Sequence, residues 1–273
     1  MTHSTQPQLI KQLAPSLRLV QYNQIPAISL QHQVGTACIS LQGAQLLHWQ
    51  PKAAKHDVLW LSEIEPFQLG HAIRGGIPIC YPWFGAVKSP SHGTARLRLW
   101  HLSDYQIDEK NVKLVLSLFD ENHLIEATLT ILFNEQCELI FKHYGEEPAQ
   151  VAFHSYFNIG DIQQIEVQGL PTLCTNNRSK EQENVSSPRQ IQAYVDCTYQ
   201  LTQPQNTILD PVRQRRIEID HRDATEAVLW NPWHNPTSDM TEAGYQTMVC
   251  LESARLSRPL QQGEEMSICL SVK

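Results

Sequence analysis

The sequence has 273 residues, of which 41% are hydrophobic and 18% are charged. This composition excludes an intrinsically disordered chain, and the length allows one large domain or two small ones. The formal net charge of −7 argues against a partner such as nucleic acid or an anionic membrane surface, although a small anionic ligand needs only local arginines.

The cysteines and the N-terminal residues indicate in which cellular compartment the protein is expected. Seven cysteines are scattered without a Cys-x-x-Cys pair, and several lie in apolar runs such as residues 248–251. We therefore expect reduced, buried thiols in a cytoplasmic protein. Residues 1–20 lack the continuous apolar stretch of a signal peptide, and no apolar run approaches the roughly 18 residues that a membrane span needs.

The first part of the chain predicts short strands. Residues 1–16 are polar and contain two prolines, so we expect a loose N-terminal arm or a short leading element. Strand-length apolar pieces follow at 37–41, 46–49 and 58–61, with turns between them and no helical period.

The clearest strand signal is alternation of apolar and polar residues at 112–118, 125–131 and 137–144. Residues 134–136 form a turn between the last two, which predicts a hairpin. Three consecutive antiparallel strands imply a large sheet with one face on a core.

The second half of the chain continues in the same manner. We expect a strand at 163–169, a surface loop in the very polar segment 175–189, and final strands at 248–251 and 266–272. No break in composition and no repeat divides the sequence. Residues 1–273 are therefore expected to form a single all-β domain, most simply two stacked sheets.

A stretch rich in glycine, proline and aromatic residues at 72–85, with residues 91–96 beyond it, predicts an irregular segment of fixed path. Aromatic rings beside arginines suit a sugar that carries an anion. Arg74 and Arg96 are therefore candidates for binding a phosphate, although both would also fit surface arginines paired with acids. The two glycines after Arg74 favour the first interpretation, because a backbone without side chains lets a ligand come close.

Four further residues are candidates for binding or proton transfer. His154 lies among apolar residues, where a histidine is either a hydrogen-bonded core residue or, if it lines a pocket, a proton donor near neutral pH. Glu252 ends an apolar run, so it either emerges into solvent or is buried with partners that offset the cost of burial. Asp196 could equally be a turn or capping residue, and His92 lies in a loop.

Motifs for other chemistries are missing from the sequence. Its twelve histidines show no H-x-H, H-x-x-x-H or H-E-x-x-H spacing, so we expect no required metal. The sequence also contains no G-x-S-x-G, P-loop or G-x-G-x-x-G motif. Trp230, Trp233 and His234 are interpreted as packing residues or as the rim of a pocket.

Several segments together resemble the glucose-6-phosphate 1-epimerase branch of the aldose 1-epimerase family. The ordered set is specific, although no single segment is, and it spans positions 73–252. In chain order, the matching segments are residues 73–78 with 81–85, residues 91–96, residues 153–157, Asp196, residues 230–232 and residues 249–252.

The resemblance implies the large antiparallel β-sandwich of the galactose mutarotase type, or supersandwich, with the site on a concave sheet face. It implies an isomerase that interconverts the α and β anomers of a hexose 6-phosphate, above all glucose 6-phosphate. His154 and Glu252 correspond to the acid/base pair, with Glu252 as base toward the anomeric hydroxyl and His154 as acid toward the ring oxygen. One acid and one base suffice for ring opening, so neither a metal nor a cofactor is expected.

The same resemblance implies binding roles for other residues. The arginines that match Arg74 and Arg96 hold the phosphate, and the aspartate that matches Asp196 binds sugar hydroxyls. His92 is similar to a histidine that lies near the sugar in the wider family. The expected partner is a hexose 6-phosphate, and we expect a monomer that binds neither nucleic acid nor membrane.

Two residues depart from the family pattern and bear on substrate detail. Ser91 stands where glutamine is common and offers a hydrogen bond of shorter reach, while Thr94 replaces an aromatic residue. Three alternatives stay open on the sequence: a non-catalytic sugar-phosphate-binding protein on the same scaffold, a mutarotase for neutral aldoses, and an accessory domain of a polysaccharide-degrading enzyme.

Overall fold

A computed structural model describes residues 7–273 of the protein, and nearly all regular structure in this range is β-strand. Two short 3₁₀ helices, Ala95–Leu97 and Gly244–Thr247, are the helical elements of the described residues. The strands of this range are β1 (Gln8–Ala14), β2 (Leu17–Tyr22), β3 (Ile25–His32), β4 (Gly35–Ser40), β5 (Leu46–Pro51), β6 (Ile79–Cys80), β7 (His101–Ile107), β8 (Val112–Phe119), β9 (Ile125–Phe133), β10 (Cys137–His143), β11 (Ala149–Phe153), β12 (Tyr156–Asn158), β13 (Glu166–Gln168), β14 (Leu173–Asn176), β15 (Gln182–Asn184), β16 (Val195–Gln200), β17 (Gln205–Asp210), β18 (Arg215–Arg222), β19 (Glu226–Asn231), β20 (Met248–Leu260) and β21 (Glu265–Val272).

The first five strands form an antiparallel sheet in chain order. Two-residue turns join β1 to β2, β2 to β3 and β3 to β4, the shortest connection that antiparallel neighbours allow. Of the two expectations for residues 1–16, the loose arm is wrong for residues 8–14 and the short leading element is confirmed there, because these residues form β1 and pair with β2. Most β1 side chains are exposed, so no apolar alternation marks this strand in the sequence. Residues 1–6 lie outside the described part.

Two eight-stranded sheets make up most of the molecule. One has the order β13-β17-β18-β21-β10-β9-β8-β7, and the other has the order β15-β14-β16-β19-β20-β11-β6, with β12 pairing β20. The predicted strands at 112–118, 125–131 and 137–144 are confirmed as β8, β9 and β10, and β9 pairs with β10 across the predicted turn. Successive side chains of β9 alternate strictly between buried and half-buried from Ala127 on, which matches the alternation of apolar and polar residues in the sequence.

Three predicted elements differ in the structure. The strand expected at 163–169 is confined to Glu166–Gln168, and the segment 58–61 makes isolated bridges instead of a strand. The polar segment 175–189 contains the end of β14 and all of β15, which pair at a sheet edge. Their side chains are mostly half-buried or exposed, so main-chain hydrogen bonds hold this hairpin without an apolar pattern.

The core lies against the inner faces of the sheets. One large cluster of buried side chains draws on all three sheets, for example Ile28 of β3, Leu129 of β9 and Leu251 of β20. All seven cysteines are buried and free. The long strand β20 is central to its sheet because it pairs with β19, β11 and β12, and it therefore provides a rigid platform for any side chain on its other face.

Candidate active site

Strand register brings the candidate residues to one face of the second eight-stranded sheet. Asp196 lies opposite Trp230, Trp230 lies opposite Cys250, and Cys250 lies opposite Tyr156. Directly opposed residues of antiparallel strands point to the same face, and so do residues two apart in one strand. Glu252 therefore shares this face with Asp196, while Leu251 points to the core.

His154 and Glu252 form a close pair at the centre of this face. His154 lies between β11 and β12, where its backbone N–H donates to the carbonyl of Pro78 at 2.9 Å. The His154 Nε2 and Glu252 Oε1 atoms are 3.3 Å apart, and the side chains are only 12% and 2% exposed. The second carboxylate oxygen of Glu252 and Nδ1 of His154 are buried without a hydrogen-bond partner among residues 7–273. Such unpaired atoms are costly in a core and are available to a ligand.

Burial sets the protonation of this pair. Burial, with the carboxylate of Asp196 adding to it, raises the pKa of Glu252 well above its usual range. Burial lowers the pKa of His154 well below its usual range, and His92, Arg96 and Arg74 act in the same direction. A protonated Glu252 beside a neutral His154 and an ionised Glu252 beside a protonated His154 carry the same number of protons. The two arrangements differ only in the position of one proton. The pair can therefore supply a proton at one end and accept one at the other without exchange with solvent.

Aromatic rings surround the imidazole of His154. Tyr156 stacks on it, with ring centroids 4.9 Å apart and planes inclined by 17°. The rings of His92 and Trp230 approach edge-on, with centroids 5.6 and 6.3 Å away. This packing fixes the orientation of the imidazole, and it forms the apolar surround that a sugar ring requires.

Arg74 is held at both ends. Its backbone N–H donates to Oε2 of Glu65 at 2.7 Å, and burial raises the pKa of that glutamate. Its guanidinium donates from Nη1 to the hydroxyl of Tyr156 at 2.9 Å. Nε donates to the carbonyl of Ser238 at 3.1 Å, and Nη2 donates to its hydroxyl at 3.2 Å. Tyr156 therefore contacts Arg74 through its hydroxyl and His154 through its ring.

The glycines after Arg74 have a different role from the expected one. A Cβ atom on Gly75 would lie 2.5 Å from the carbonyl oxygen of Trp60, and one on Gly76 would lie 2.3 Å from that of Leu46. Neighbouring backbone therefore fills the space that the sequence suggested for a ligand. The glycines let the segment pack tightly beneath the site.

The loop before the helix Ala95–Leu97 carries Ser91 and His92, and Arg96 lies in the helix itself. Nη2 of Arg96 donates to the main-chain carbonyl of Ser91 at 2.8 Å, while Nε of Arg96 is buried without a partner in the described chain. Burial, together with Arg96 and Arg74, lowers the pKa of His92 to about 4. Nδ1 of His92 accepts the Gly85 N–H at 3.4 Å, so the proton of the neutral ring is assigned to Nε2, where it can be donated to a ligand.

Asp196 lies within β16 and not in a turn or cap. Its Oδ1 accepts a hydrogen bond from the side-chain amide of Asn177 at 2.7 Å, and its Oδ2 accepts one from the hydroxyl of Tyr194 at 3.3 Å. The structure thus brings Arg74, His92, Arg96, His154, Asp196 and Glu252 to one region. Ser91 contributes a main-chain contact to Arg96, and its side chain is exposed.

Three residues of this site escaped the sequence analysis. Glu65, nine residues before Arg74, and Ser238, 164 residues after it, both contact Arg74, and nothing in their local sequence marks them. Tyr156 lies in residues 153–157, which match the family pattern, so its aromatic ring close to His154 in sequence was the available signal.

One group of described residues has the composition of a metal site. Ligand atoms of Cys174, Glu183 and Cys197 lie within 4.8 Å of one another. Cys197 follows Asp196 directly in β16, and successive strand residues point to opposite faces. This group therefore lies on the core side of the sheet, away from His154 and Glu252.

A family model described as aldose 1-epimerase matches residues 26–273. The chain belongs to the aldose 1-epimerase family. A protein of Haemophilus influenzae named "Putative glucose-6-phosphate 1-epimerase" is 53% identical over 97% of this chain and 98% of that protein. A protein of the same name from Salmonella typhimurium is 34% identical over 94% of this chain and 92% of that protein.

Solved structures of this family share the fold. A crystal structure named as a putative mutarotase, YeaD from Salmonella typhimurium, has a TM-score of 0.91 and 30% identity, covering 97% of this chain and 96% of that one. The predicted all-β sandwich of the galactose mutarotase type is therefore confirmed. No helix in residues 7–273 is both long enough and apolar enough to cross a membrane.

Proposed function

We propose that this family member interconverts the α and β anomers of a hexose 6-phosphate, with glucose 6-phosphate as the foremost substrate. The observation that carries the proposal is the buried pair of His154 and Glu252, whose unpaired polar atoms lie in a region that also contains two arginines. An acid and a base at this distance match the two proton transfers of ring opening.

The proposed reaction balances within the pair. The reaction starts from the ion-pair arrangement, in which the shared proton is on His154. The carboxylate of Glu252 takes the proton of the anomeric hydroxyl, and a carbonyl forms at C1. The C1–O5 bond breaks, its electron pair stays on O5, and O5 takes a proton from His154. Rotation about C1–C2 and closure on the other face return both protons and give the other anomer. A positioned acid or base typically contributes about 10² to 10⁴ in rate, which suits a reaction that already proceeds slowly in water.

The remaining residues are assigned to binding. Arg74 and Arg96 would hold the phosphate, which supplies binding energy and orientation away from the reacting atoms. Asp196 would accept from sugar hydroxyls, His92 would donate from Nε2, and Ser91 would assist near Arg96. We further propose that the protein acts as a cytoplasmic monomer, as a single domain, and without metal or cofactor.

The test is anomerisation of freshly dissolved α-glucose 6-phosphate, followed by polarimetry or exchange NMR. Wild type should accelerate it, and Glu252→Gln should lose about 10² to 10⁴ of that acceleration. Glu138→Gln on β10, a carboxylate paired with Arg222 elsewhere on the surface, is the matched control and should keep full activity.

Other outcomes would point to other functions. Equal acceleration by Glu252→Gln would place the base elsewhere. Equal acceleration of glucose would support a mutarotase for neutral aldoses. A folded wild type that accelerates neither sugar but binds glucose 6-phosphate would support a non-catalytic binding protein.

A further inference from the structure

The connection from β19 to β20 is a long loop that is closed at its base by one side chain. Asn231, the last residue of β19, is fully buried. Its amide nitrogen donates to the carbonyls of Tyr245 and Met248, both at 2.9 Å, and its amide oxygen accepts the Trp233 N–H at 2.9 Å. Both ends of residues 232–247 are therefore fixed, and the loop projects from the sheet as a defined arm.

The tip of this arm reaches the guanidinium of Arg74. Ser238 accepts two of its hydrogen bonds, one from Nε to the carbonyl oxygen and one from Nη2 to the hydroxyl. The hydroxyl of Tyr156 accepts a third, from Nη1. A guanidinium has five N–H donors, so one N–H on each terminal nitrogen remains. Two such donors on one planar group match two oxygens of a phosphate.

We propose that Ser238 is a positioning residue for anion recognition, which holds the Arg74 guanidinium so that its two remaining N–H groups meet the substrate phosphate. This inference rests on the proposed function. A free arginine side chain would lose about 2 kcal/mol of rotamer entropy when it is fixed. Ser238 and Tyr156 fix the Arg74 side chain before the ligand binds. The entropy cost is then not part of the binding free energy, and the affinity is higher.

The same contacts have a second interpretation with the opposite consequence. If Ser238 occupied the donors that the phosphate itself needs, it would compete with the ligand, and its removal would strengthen binding. Substitution of Ser238 therefore separates positioning from competition by the sign of the change in affinity.

The experiment measures the Kd of 1,5-anhydroglucitol 6-phosphate, a sugar phosphate that cannot open because it lacks an anomeric hydroxyl. Ser238→Ala should raise this Kd about 5- to 10-fold, which corresponds to the contribution of one ordinary intramolecular hydrogen bond, and Ser238→Thr should restore it. Thr237→Ala is the matched control, because the Thr237 hydroxyl donates to the carbonyl of Asn235 and to no other group of the described chain, and its Kd should equal that of wild type. A Kd that falls or does not change in Ser238→Ala would overturn the proposal.

A double-mutant cycle distinguishes positioning from a general disturbance of the loop. In an Arg74→Met background, Ser238→Ala should change the Kd less than twofold, because the group that it positions is gone. An undiminished effect in that background would overturn the proposal. Acceleration of glucose 6-phosphate anomerisation by wild type tests the proposed function separately, because the Kd of the unreactive analogue does not depend on turnover.

Discussion

Gly93 should be among the least replaceable residues of the loop that carries His92 and leads into the helix with Arg96. Its φ is +77°, and a Cβ atom there would lie 2.0 Å from the carbonyl oxygen of Tyr81. Left-handed backbone costs an alanine about 1–2 kcal/mol. The overlap is with backbone and not with a movable side chain, and overpacking of this kind costs about 1–3 kcal/mol more. Gly93→Ala should therefore lose about 2–5 kcal/mol of unfolding free energy.

Gly85 of the same loop provides the control for backbone strain. Its φ is +69°, but no atom of residues 7–273 lies within 4 Å of an added Cβ, so Gly85→Ala should lose only about 1–2 kcal/mol. Both variants are compared by equilibrium guanidinium unfolding, with the denaturant slope checked for constancy. The affinity of Gly93→Ala for hexose 6-phosphate should also fall, because the overlap pushes the loop away from Tyr81. Equal loss of stability in the two variants would refute the argument from close approach.

Three further predictions concern the site and the histidines. Tyr156→Phe should raise KM for hexose 6-phosphate about tenfold and change kcat less than about threefold, since it removes the Arg74 bond and keeps the ring on His154. Burial lowers the pKa of His92 and of His221 to about 4, so the unfolded chain binds more protons below pH 6.5. Stability should fall from pH 7 to pH 5 by about 2 kcal/mol for each, and His221→Asn should remove its share of this slope in urea unfolding. The pKa of Glu252 is raised in the fold, so the folded protein loses stability as pH rises and this buried carboxyl ionises. Glutamine cannot ionise, so Glu252→Gln should unfold at a higher temperature than wild type at pH 8.

Controls make these outcomes specific. Tyr105→Phe removes a hydroxyl that bonds the carbonyl of Leu13 on the other side of the molecule, and it should leave KM unchanged. A fall in kcat without a rise in KM for Tyr156→Phe would contradict its assigned contact. An unchanged pH slope in His221→Asn would mean that His221 is not kept neutral by burial. A Glu252→Gln variant that melts earlier than wild type at pH 8 would show that the carboxylate is stabilised in the fold.

Local patterns in the sequence predicted those strands whose partners are near in the chain and whose inner side chains are apolar. β8, β9 and β10 meet both conditions, so alternation and one turn are enough to define them. β1, β14 and β15 also pair with strands that are near in the chain, but they do not meet the second condition, because main-chain hydrogen bonds at sheet edges hold them and their side chains are largely exposed. Polar strands of this kind leave no hydrophobic signal.

The site was predictable only in part for the same reason. His154 and Glu252 were candidates from their apolar surroundings, but the contact at 3.3 Å depends on the pairing of β11 and β12 with β20 about a hundred residues later. The residues themselves indicated Arg74 and Arg96 for a phosphate and His154 as a candidate proton donor, while the roles of Glu252 and Asp196 entered through the family resemblance. Ser238 lies 164 residues from Arg74 in sequence, and a serine in a polar loop carries no local sign of such a contact.

The division of the site between strand and loop has a consequence for how this scaffold can be altered. Glu252 lies on the thirteen-residue strand β20, whose neighbours fix it on both sides, whereas Arg96 and Ser238 lie on connections between strands. Changes to the loops at 85–96 and 232–247 that keep His92 and Gly93 can therefore alter the accepted sugar while the proton-transfer pair keeps its geometry. A designer would leave the sheet untouched and vary the remaining loop positions to change ligand choice.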